Sequence, residues 1–299
     1  MMRNTLLLTA FSLSTLLAFS QPENSLLWKI TPKKGKQVSY LFGSMHTNDS
    51  LCNTWSDAWW QAFHSCNMVL GETNFVSPDM KDAMGALMLS MMKDTSLKDL
   101  FPPTDFAFVD SILTQYLPPE LAPFSNKMKP LLTLVSMMEQ PVESGPYFEL
   151  MDVRIQRMAL GEKKIVSGLE TATEQIISLD VLNLKEQAEL MLTVLQSDEG
   201  LAVELDEMQR LYVQQDFAKL MEHEMMDEYP EKLIHELVNV RNHRFFDRLL
   251  PLLKKNRVFC VLGAMHLPGE TGLIAQLRNA GYKVEPVDFT FTKSALEKK

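Results

Sequence analysis

Apolar and polar positions divide the chain into two ends of mixed strand and helix character and a middle that is mostly helical. Near the N-terminus, two apolar runs flank the turn-forming segment PKKGK, and this pattern predicts a β-hairpin. Aromatic residues then recur at four-residue spacing (Trp55, Trp59, Phe63), which places them on one helical face. A short apolar strand follows, so a parallel crossover is expected. The predicted elements are strands over 26–31, 37–42 and 68–72 and a helix over 53–65.

The C-terminal end repeats this arrangement of strand, helix and strand. An apolar strand over 257–263 precedes helical spacing over 270–280, and Gly281 stands where a helix C-cap glycine belongs. A further strand, over 282–287, completes the unit. The middle of the chain comprises two helical blocks, over 79–160 and 172–253, and one predicted strand between them, over 163–171.

Together these elements predict an α/β fold with a mixed β-sheet core and a large helical middle region. We expect a single domain over 21–299 with a helical insertion around 79–253. A chain of this length can bury a full core by itself, and no internal repeat spans it.

Residues 1–20 have the pattern of a secretory signal peptide. Arg3 gives a basic start, the segment from Leu6 to Phe19 is nearly all apolar or small, and Ala18-Phe19-Ser20 has the character of a cleavage site. An uncleaved anchor is the alternative, but this run is short for a spanning helix, which needs about 20 residues. We therefore expect cleavage, no membrane span in the mature chain, and a secreted or periplasmic protein.

Charge and cysteine content narrow the set of partners and covalent links. A formal net charge of −9 does not attract a phosphate backbone, so nucleic acid is not an expected partner. Three cysteines exclude a disulfide framework. Cys52 and Cys66 can pair in an oxidising compartment, which leaves Cys260, in an apolar strand, as a buried thiol. The sequence leaves this pairing and the oligomeric state open.

A methionine stripe lies in the first helical block, where Met80, Met84, Met88 and Met91 recur at helical spacing. A flexible apolar packing face is the favoured interpretation of such a stripe. The alternative is a copper(I) site built from thioether ligands.

Candidate chemistry collects in two matched segments, YLFGSMH (40–46) and CVLGAMH (260–266). Each runs an apolar strand into glycine, a small residue, methionine and histidine. Gly43 and Gly263 let the backbone bend sharply, and ligands of open α/β sheets bind at the carboxyl ends of the strands. A single histidine here is more often structural, but packing alone does not require two copies. We therefore predict that His46 and His266 are functional.

Two further strands end in acids, MVLGET with Glu72 and IVSGLET with Glu170. Either carboxylate alone can simply cap the next helix. Together, the four strand ends would gather two imidazoles and two carboxylates on one edge of the sheet. Because two histidines and one carboxylate with an open position form the ligand set of catalytic divalent metals, the sequence predicts such a site.

Other motifs are weaker. HELVN (235–239) and HEMMD (223–227) begin like zincin helices but lack the second histidine, so solvated helix faces are favoured. The chain contains neither a G-x-S-x-G elbow nor a Walker glycine loop. In VRNHRFFDRLL (240–250), the residues alone favour an ordinary surface helix. The alternative brings Arg241 or Asn242 into a pocket, where it stabilises negative charge on a carbonyl oxygen.

Five segments, in order, carry a resemblance to a known family: LFGSMH, VLGET, KKIVSGLET, VRNHRFFDRL and VFCVLGAMHLPGETGLIAQLRNAGYKVEPV. They resemble the TraB/GumN family, which includes the animal Tiki proteases, over about 26–288. The resemblance implies an α/β fold related to the erythromycin-esterase and haem-binding ChaN-like proteins. It also implies a metal-dependent hydrolase built on two Gly-x-x-His motifs and a glutamate. For the animal members the implied metals are manganese or cobalt, with zinc as an alternative, and the substrates are N-terminal segments of peptides.

The resemblance also assigns site residues by position. Asp152 stands where the family has an acid ahead of the Leu-Glu-Thr strand, although Leu150-Met151 replaces the usual Gly-Val before it. The family's active-site residues and its arginine–asparagine pair correspond to His46, His266, Glu72, Arg241 and Asn242.

The resulting hypothesis is a secreted or periplasmic metal-dependent hydrolase, with a peptidase as the favoured reaction. The two histidines and Glu72 would hold one divalent ion, and Glu170 or a water partner of the metal would supply the base. Arg241 and Asn242 would position or polarise the substrate carbonyl.

Two alternatives use the same site. The first is a non-catalytic protein that binds haem, a metal or a peptide, as a carrier or a signalling inhibitor. The second is an esterase or another hydrolase of small molecules. Peptide cleavage predicts a long groove, whereas a small substrate predicts a closed pocket under the helical middle.

Overall fold

The computed structural model describes residues 24–117, 120–138, 149–196, 201–216, 219–220 and 229–295. The predicted signal peptide and the HEMMD segment lie outside these residues. The strands are β1 (Leu27–Thr31), β2 (Ser39–Ser44), β3 (Met68–Gly71), β4 (Ile165–Gly168), β5 (Val258–Gly263) and β6 (Lys283–Pro286).

Helices fill most of the remaining described chain, and none of those described is long and apolar enough to span a membrane. They are α1 (Asp57–Ser65), α2 (Met80–Leu89), α3 (Pro103–Tyr116), α4 (Pro130–Met138), α5 (Met151–Gly161), α6 (Ala172–Leu179), α7 (Leu184–Leu195), α8 (Leu201–Val213), α9 (Glu231–Ile234), α10 (Arg241–Leu253) and α11 (Leu273–Asn279). A π-helical turn over His235–Val240 joins α9 to α10, and short 3₁₀ turns cover Leu97–Leu100, Ala122–Lys127 and Ala264–His266.

The described strands form one mixed sheet in the order β4-β3-β5-β2-β1-β6. The pairs β4–β3, β3–β5 and β5–β2 are parallel, whereas β1 pairs antiparallel with both β2 and β6. The predicted α/β class and the predicted β-hairpin are therefore confirmed. Because β4, β3, β5 and β2 are neighbours that run in the same direction, their carboxyl ends share one edge of the sheet.

Two predicted boundaries differ from the structure for local reasons. The first helix begins at Asp57 instead of residue 53, because Ser56 has an extended backbone and takes the N-cap position. Trp55 nevertheless stacks on Trp59 with their rings 4.1 Å apart, so the aromatic cluster forms partly from the preceding loop. The second strand continues to Ser44, because it pairs with β5 up to Gly263.

Two hydrophobic clusters account for most of the buried side chains. The first packs the sheet against α1, α5, α10 and α11, and the second joins α3, α4 and α7 in the helical middle. We call this second group the helical cap. Met208, on α8, packs against both clusters. The predicted division into one domain with a helical insertion stays a prediction, but the two clusters place the cap beside the sheet.

The prediction of a packing face for the methionine stripe was wrong. Met80, Met84 and Met88 are 71%, 56% and 66% exposed. Helix α2 packs against α6 and buries only Ala86 within its own length, so the methionine face lies on the side away from the protein. The copper(I) alternative stays a prediction.

All three cysteines are buried and free, so the pairing of Cys52 with Cys66 that the sequence left open is not formed. Burial raises the pKa of the Cys52 thiol to about 12 and that of Cys66 to about 11. Both thiols are therefore protonated and unreactive at neutral pH. The buried thiol predicted at Cys260 is confirmed.

Candidate active site

The two histidine segments end side by side. In the parallel pair of β2 and β5, Ser44 is opposite Gly263, so the following residues leave the sheet at the same level. His46 lies two residues beyond β2, and His266 closes the 3₁₀ turn that follows β5. Both imidazoles line one cavity, together with Glu72 and Arg241 among other residues.

The glycines of the two segments are required by close packing and not by a sharp bend. Gly263 has φ of −48°, which any residue adopts, and a β-carbon there would lie 3.2 Å from Oε1 of Glu72. A β-carbon on Gly43 would lie 3.1 Å from Cα of Ala264. The bend expected from these glycines was therefore the wrong explanation. They let the ends of β2, β3 and β5 approach one another closely enough to form a site.

His46 is oriented by Asp152. Nδ1 of His46 lies 3.0 Å from Oδ2 of Asp152, and the other carboxylate oxygen accepts a hydrogen bond from Ser44 Oγ. Asp152 is buried in the first turn of α5. The start of this helix is held to the loop after β2 by a hydrogen bond of 2.9 Å from the Met151 amide to Thr47 O. The contact between His46 and Asp152 is at an ion-pair distance and is not an aligned hydrogen bond, because Oδ2 of Asp152 has no hydrogen-bond partner among the described residues. The negative charge of the carboxylate nevertheless favours the tautomer with the proton on Nδ1. The Nε2 atom of His46 is then the unprotonated one.

His266 is oriented in the same way by Asn242. Nδ1 of His266 lies 2.7 Å from Oδ1 of Asn242, and an amide oxygen can only accept, so this nitrogen carries the proton. Burial lowers the pKa of His266 to about 4, and the imidazole is neutral at pH 7. The unprotonated Nε2 atom of His266 lies 3.3 Å from Nη1 of Arg241 and 3.6 Å from Oε1 of Glu72.

Glu72 is the negative charge of the site. Its Oε1 accepts a hydrogen bond of 2.7 Å from the Gly263 amide, and its Oε2 accepts one from Nη2 of Arg241. Burial by itself raises the pKa of a carboxyl group, but the Arg241 guanidinium overrides it and holds the pKa of Glu72 well below its usual range. Glu72 is therefore ionised at neutral pH. His46 and His266 also lower this pKa when they are protonated, so both imidazoles lie close enough to act on the same carboxylate.

Glu170 lies behind Arg241. Its Oε1 accepts from Nε and Nη2 of Arg241 over 2.9 and 2.6 Å, and its Oε2 accepts from Arg244 over 2.6 Å. Its side chain is fully buried, and it is not among the described residues that line the cavity. Burial raises the pKa of Glu170, and the neighbouring charge of Glu72 adds to this effect. Glu170, which the sequence predicted as a catalytic base, therefore has both carboxylate oxygens hydrogen-bonded to arginines.

Arg241 joins all of these groups. Its Nε and Nη2 atoms donate to the carboxylates described above, and Nη1 donates to Leu237 O over 3.3 Å and contacts His266. Each nitrogen of the guanidinium group therefore has an acceptor within the protein. Arg241 is 6% exposed and Asn242 is fully buried. The residues alone favoured an ordinary surface helix, and this prediction was wrong for the first turn of α10. The resemblance, in contrast, had implied that Arg241 and Asn242 belong to a site. None of the described residues accepts a hydrogen bond from the buried Nδ2 atom of Asn242. Most buried polar atoms have a partner, so this atom is available to a further group at the site.

The π-helical turn before Arg241 is tied to the loop after His266. Thr271 Oγ1 donates to Asn239 Oδ1 over 2.8 Å, and Asn239 Nδ2 lies 3.2 Å from Nδ1 of His235. Single π-helical turns inside α-helices are rare and frequent at functional sites. This turn supplies Leu237 and its neighbour Val238 to the wall of the cavity.

Three supporting groups were missed or left undecided by sequence reasoning. Ser44, Asp152 and Arg244 each bond to a predicted site residue or to its partner. The signal for Asp152 was its place ahead of the IVSGLET strand, but nothing in the spacing indicated contact with His46. For Arg244, three residues after Arg241 on the same helix, the spacing already placed both on one helical face.

Fold and site together define an α/β protein with a buried cluster of ionised groups at the carboxyl edge of a parallel sheet segment, beside a helical cap. The model of the TraB/PrgY/gumN family matches residues 26–286, which is most of the chain, and the chain belongs to this family. Neither a curated protein nor a solved structure matched the sequence.

Proposed function

We propose that this protein is a hydrolase that uses a divalent metal ion, held by His46, His266 and Glu72, to cleave acyl bonds. Peptides are the substrate class that the sequence favours. One observation carries the proposal. Each of the two imidazoles has Nδ1 beside a buried oxygen, of Asp152 at 3.0 Å or of Asn242 at 2.7 Å, which favours the proton on Nδ1 and the lone pair on Nε2. This is the arrangement that proteins use to orient histidine ligands of metals.

The chemistry of the donor set fits such an ion. Two ligands that are each about 2 Å from one ion lie roughly 3–3.5 Å apart, and Oε1 of Glu72 is 3.6 Å from Nε2 of His266. Glu72 is ionised and His266 is neutral at pH 7, which are the ligating forms. Among the described residues, no group of three or more His, Cys, Asp or Glu side chains is placed as a complete metal site. Binding of one ion by all three would therefore have to bring these side chains closer together.

When bound, a divalent ion lowers the pKa of water and polarises a carbonyl oxygen. The protein's own residues hold the ligands in place. Asp152 and Asn242 fix the tautomers of the two histidines, and the Gly263 amide fixes one oxygen of Glu72. Arg241 neutralises the carboxylates and is in turn held by Glu170, so this proposal assigns Glu170 to the support of Arg241 and not to proton transfer.

A second candidate is a protein that binds a ligand at this site without turning it over. The observation that favours it is the complete pairing of Arg241, which itself compensates the charge of Glu72 and contacts His266. In this case Arg241 takes the place that the first proposal gives to a metal, and a metal ion has to compete with it.

The two candidates are separated by a turnover assay on one set of variants. The mature chain is incubated with a peptide library and Mn²⁺, Co²⁺ or Zn²⁺, next to His46→Ala, His266→Ala and the control His243→Ala, whose side chain is exposed on α10. The hydrolase predicts cleavage by the wild type and the control only. Equal cleavage by all four proteins contradicts the assignment of the two histidines. Ligand or metal binding without cleavage by any of them supports the second candidate.

A further inference from the structure

The cavity above the site has two chemically different walls. Its polar wall comes from the ends of β2, β3 and β5 and from Arg241, and its apolar wall comes from the helical cap and from the helices that border it. Val135 on α4, Leu179 on α6 and Leu237 in the π-helical turn are representative of the apolar wall. A ligand that fills the cavity therefore touches the candidate chemistry on one side and only hydrocarbon on most of the other.

The volume of the cavity limits what it holds. It measures about 340 Å³. A cavity of about 150 Å³ already holds a benzene molecule. The space is therefore sufficient for one aromatic ring or branched aliphatic group together with the bond to which it is attached. The volume limits the group that fits inside, whereas the burial of the site limits the rest of the ligand. Glu72 and His266 are 6% and 5% exposed, so the interior of a long peptide would have to bury the chain on both sides to reach them.

The charges at the cavity favour a neutral ligand. Glu72 and Arg241 are the charged residues among those that line it, and they are paired with each other. The two lining tyrosines use their hydroxyl groups within the protein: Tyr212 donates to Gly43 O over 2.7 Å, and the Tyr229 hydroxyl lies 3.7 Å from Sδ of Met138. What they contribute to the cavity is ring surface. A charged ligand group would be buried there without a partner, at a large cost.

We propose that the apolar wall is a specificity pocket for one compact, neutral acyl group, aromatic or branched aliphatic, whose carbonyl carbon is presented to His46, His266 and Glu72. The inference rests on the proposed hydrolase function and narrows its substrate class. The substrate is a short acyl amide or ester, or a peptide that enters by the end carrying such a group, and not the interior of a long peptide.

The binding test is independent of turnover, because it uses the His46→Ala variant and neutral amides. Calorimetry compares 3-phenylpropionamide with acetamide. Burial of a large apolar side chain contributes enough for a preference of about 10- to 100-fold for the phenyl compound. The Val135→Phe variant should lower that preference about tenfold, because the new ring occupies the pocket. The control Val203→Phe, at a residue that is 51% exposed on α8, should leave it unchanged. Equal binding of both amides, or no effect of Val135→Phe, overturns the inference.

The turnover test uses the wild type with Mn²⁺ or Co²⁺. Four compounds are compared as substrates. They are 3-phenylpropionyl anilide, the matching aryl ester, a tripeptide with the same acyl group on its N-terminus, and a decapeptide with one internal phenylalanine. The inference predicts hydrolysis of the first three at rates at least tenfold above the decapeptide. Comparable cleavage of the decapeptide overturns it. If no compound is hydrolysed while the calorimetric preference is present, the specificity pocket stands and the hydrolase proposal fails.

Discussion

At the scale of single residues, the site depends on two oxygens that the family resemblance located but whose contacts no motif shows. Asp152 and Asn242 each lie beside Nδ1 of a histidine, although neither is among the described residues that line the cavity. Ser44 and Asp152 are 108 positions apart in the chain, and nothing in the hydrophobic pattern links them. Sequence reasoning found the two histidines and Glu72 because each follows an apolar strand. It could not find the hydrogen bonds that orient them, because side-chain contacts between distant segments leave no periodic pattern.

Replacement of Asn242 tests the orientation of His266. Asn242→Ala leaves the buried Nδ1–H of His266 without an acceptor, which should cost about 1–3 kcal/mol of stability and lower metal affinity about 10- to 100-fold. Asn242→Asp keeps an acceptor oxygen at the same place and should retain most of the affinity. Calorimetric metal titration measures the affinities, and ¹⁵N chemical shifts of the imidazole report the tautomer. An unchanged tautomer and affinity in Asn242→Ala would refute the assigned role.

The lowered pKa of His266 predicts how stability depends on pH in metal-free protein. Its pKa is about 4 in the folded state and 6.5 ordinarily, so between these values the unfolded chain binds more protons than the folded chain. The free energy of unfolding should therefore fall as the pH decreases from 6.5 towards 4, by up to about 3 kcal/mol. Urea unfolding at several pH values, with a chelator present, measures this slope. His266→Gln should flatten it, and a slope that this variant does not change would contradict the assignment.

At the scale of elements, the strands and the edge at which they end were predictable, but the support from the helices was not. Strands β2, β3 and β5 are nearly continuous apolar runs, and their parallel arrangement follows from the crossover helices between them. In contrast, the π-helical turn over 235–240 has the hydrophobic spacing of an ordinary helix. The turn coincides with a tertiary contact, the hydrogen bond from Thr271 to Asn239, which a local pattern does not contain.

Replacement of Thr271 removes the hydrogen bond between the π-helical turn and the loop after His266. Thr271→Val removes the donor to Asn239, keeps the shape of the side chain, and should cost about 1 kcal/mol. Amide hydrogen exchange should accelerate over 235–241, because the turn loses its contact with the loop. Thr271→Ser retains the hydroxyl group and serves as the control. Exchange rates that are identical in Thr271→Val and wild type would show that the link does not hold the turn.

At the scale of the whole molecule, the buried ion cluster joins segments that are far apart in the chain. Arg241 on α10 binds carboxylates that follow β3 and β4, and contacts the histidine that follows β5. The sequence indicated that these four strand ends meet. The residues alone favoured a surface helix at the start of α10, and the resemblance implied Arg241 in the site, but neither indicated that its guanidinium group would pair with both carboxylates. The predicted relation to the erythromycin-esterase and ChaN-like folds stays a prediction.

Two arginines of the same helix provide a matched test of this cluster. Arg241→Met leaves Glu72 and Glu170 buried with their main counter-charge removed and should cost about 3–5 kcal/mol. Arg248→Met breaks a pair with Glu174 whose side chains are 44% and 30% exposed, and should cost at most about 1 kcal/mol. Chemical denaturation of both variants measures the difference. Similar losses in the two proteins would mean that the cluster contributes no more than a surface ion pair.

The central claim is that His46, His266 and Glu72 bind one divalent ion together. The most direct measurement is a titration of the chelator-treated protein with Co²⁺, followed by the visible absorption of the bound ion. Joint binding by these three residues predicts one Co²⁺ per chain with a spectrum that indicates nitrogen ligands. The bound spectrum should disappear in His46→Ala and in His266→Ala and persist in His243→Ala. Identical titration curves for all four proteins, or no bound Co²⁺ in the wild type, would contradict it.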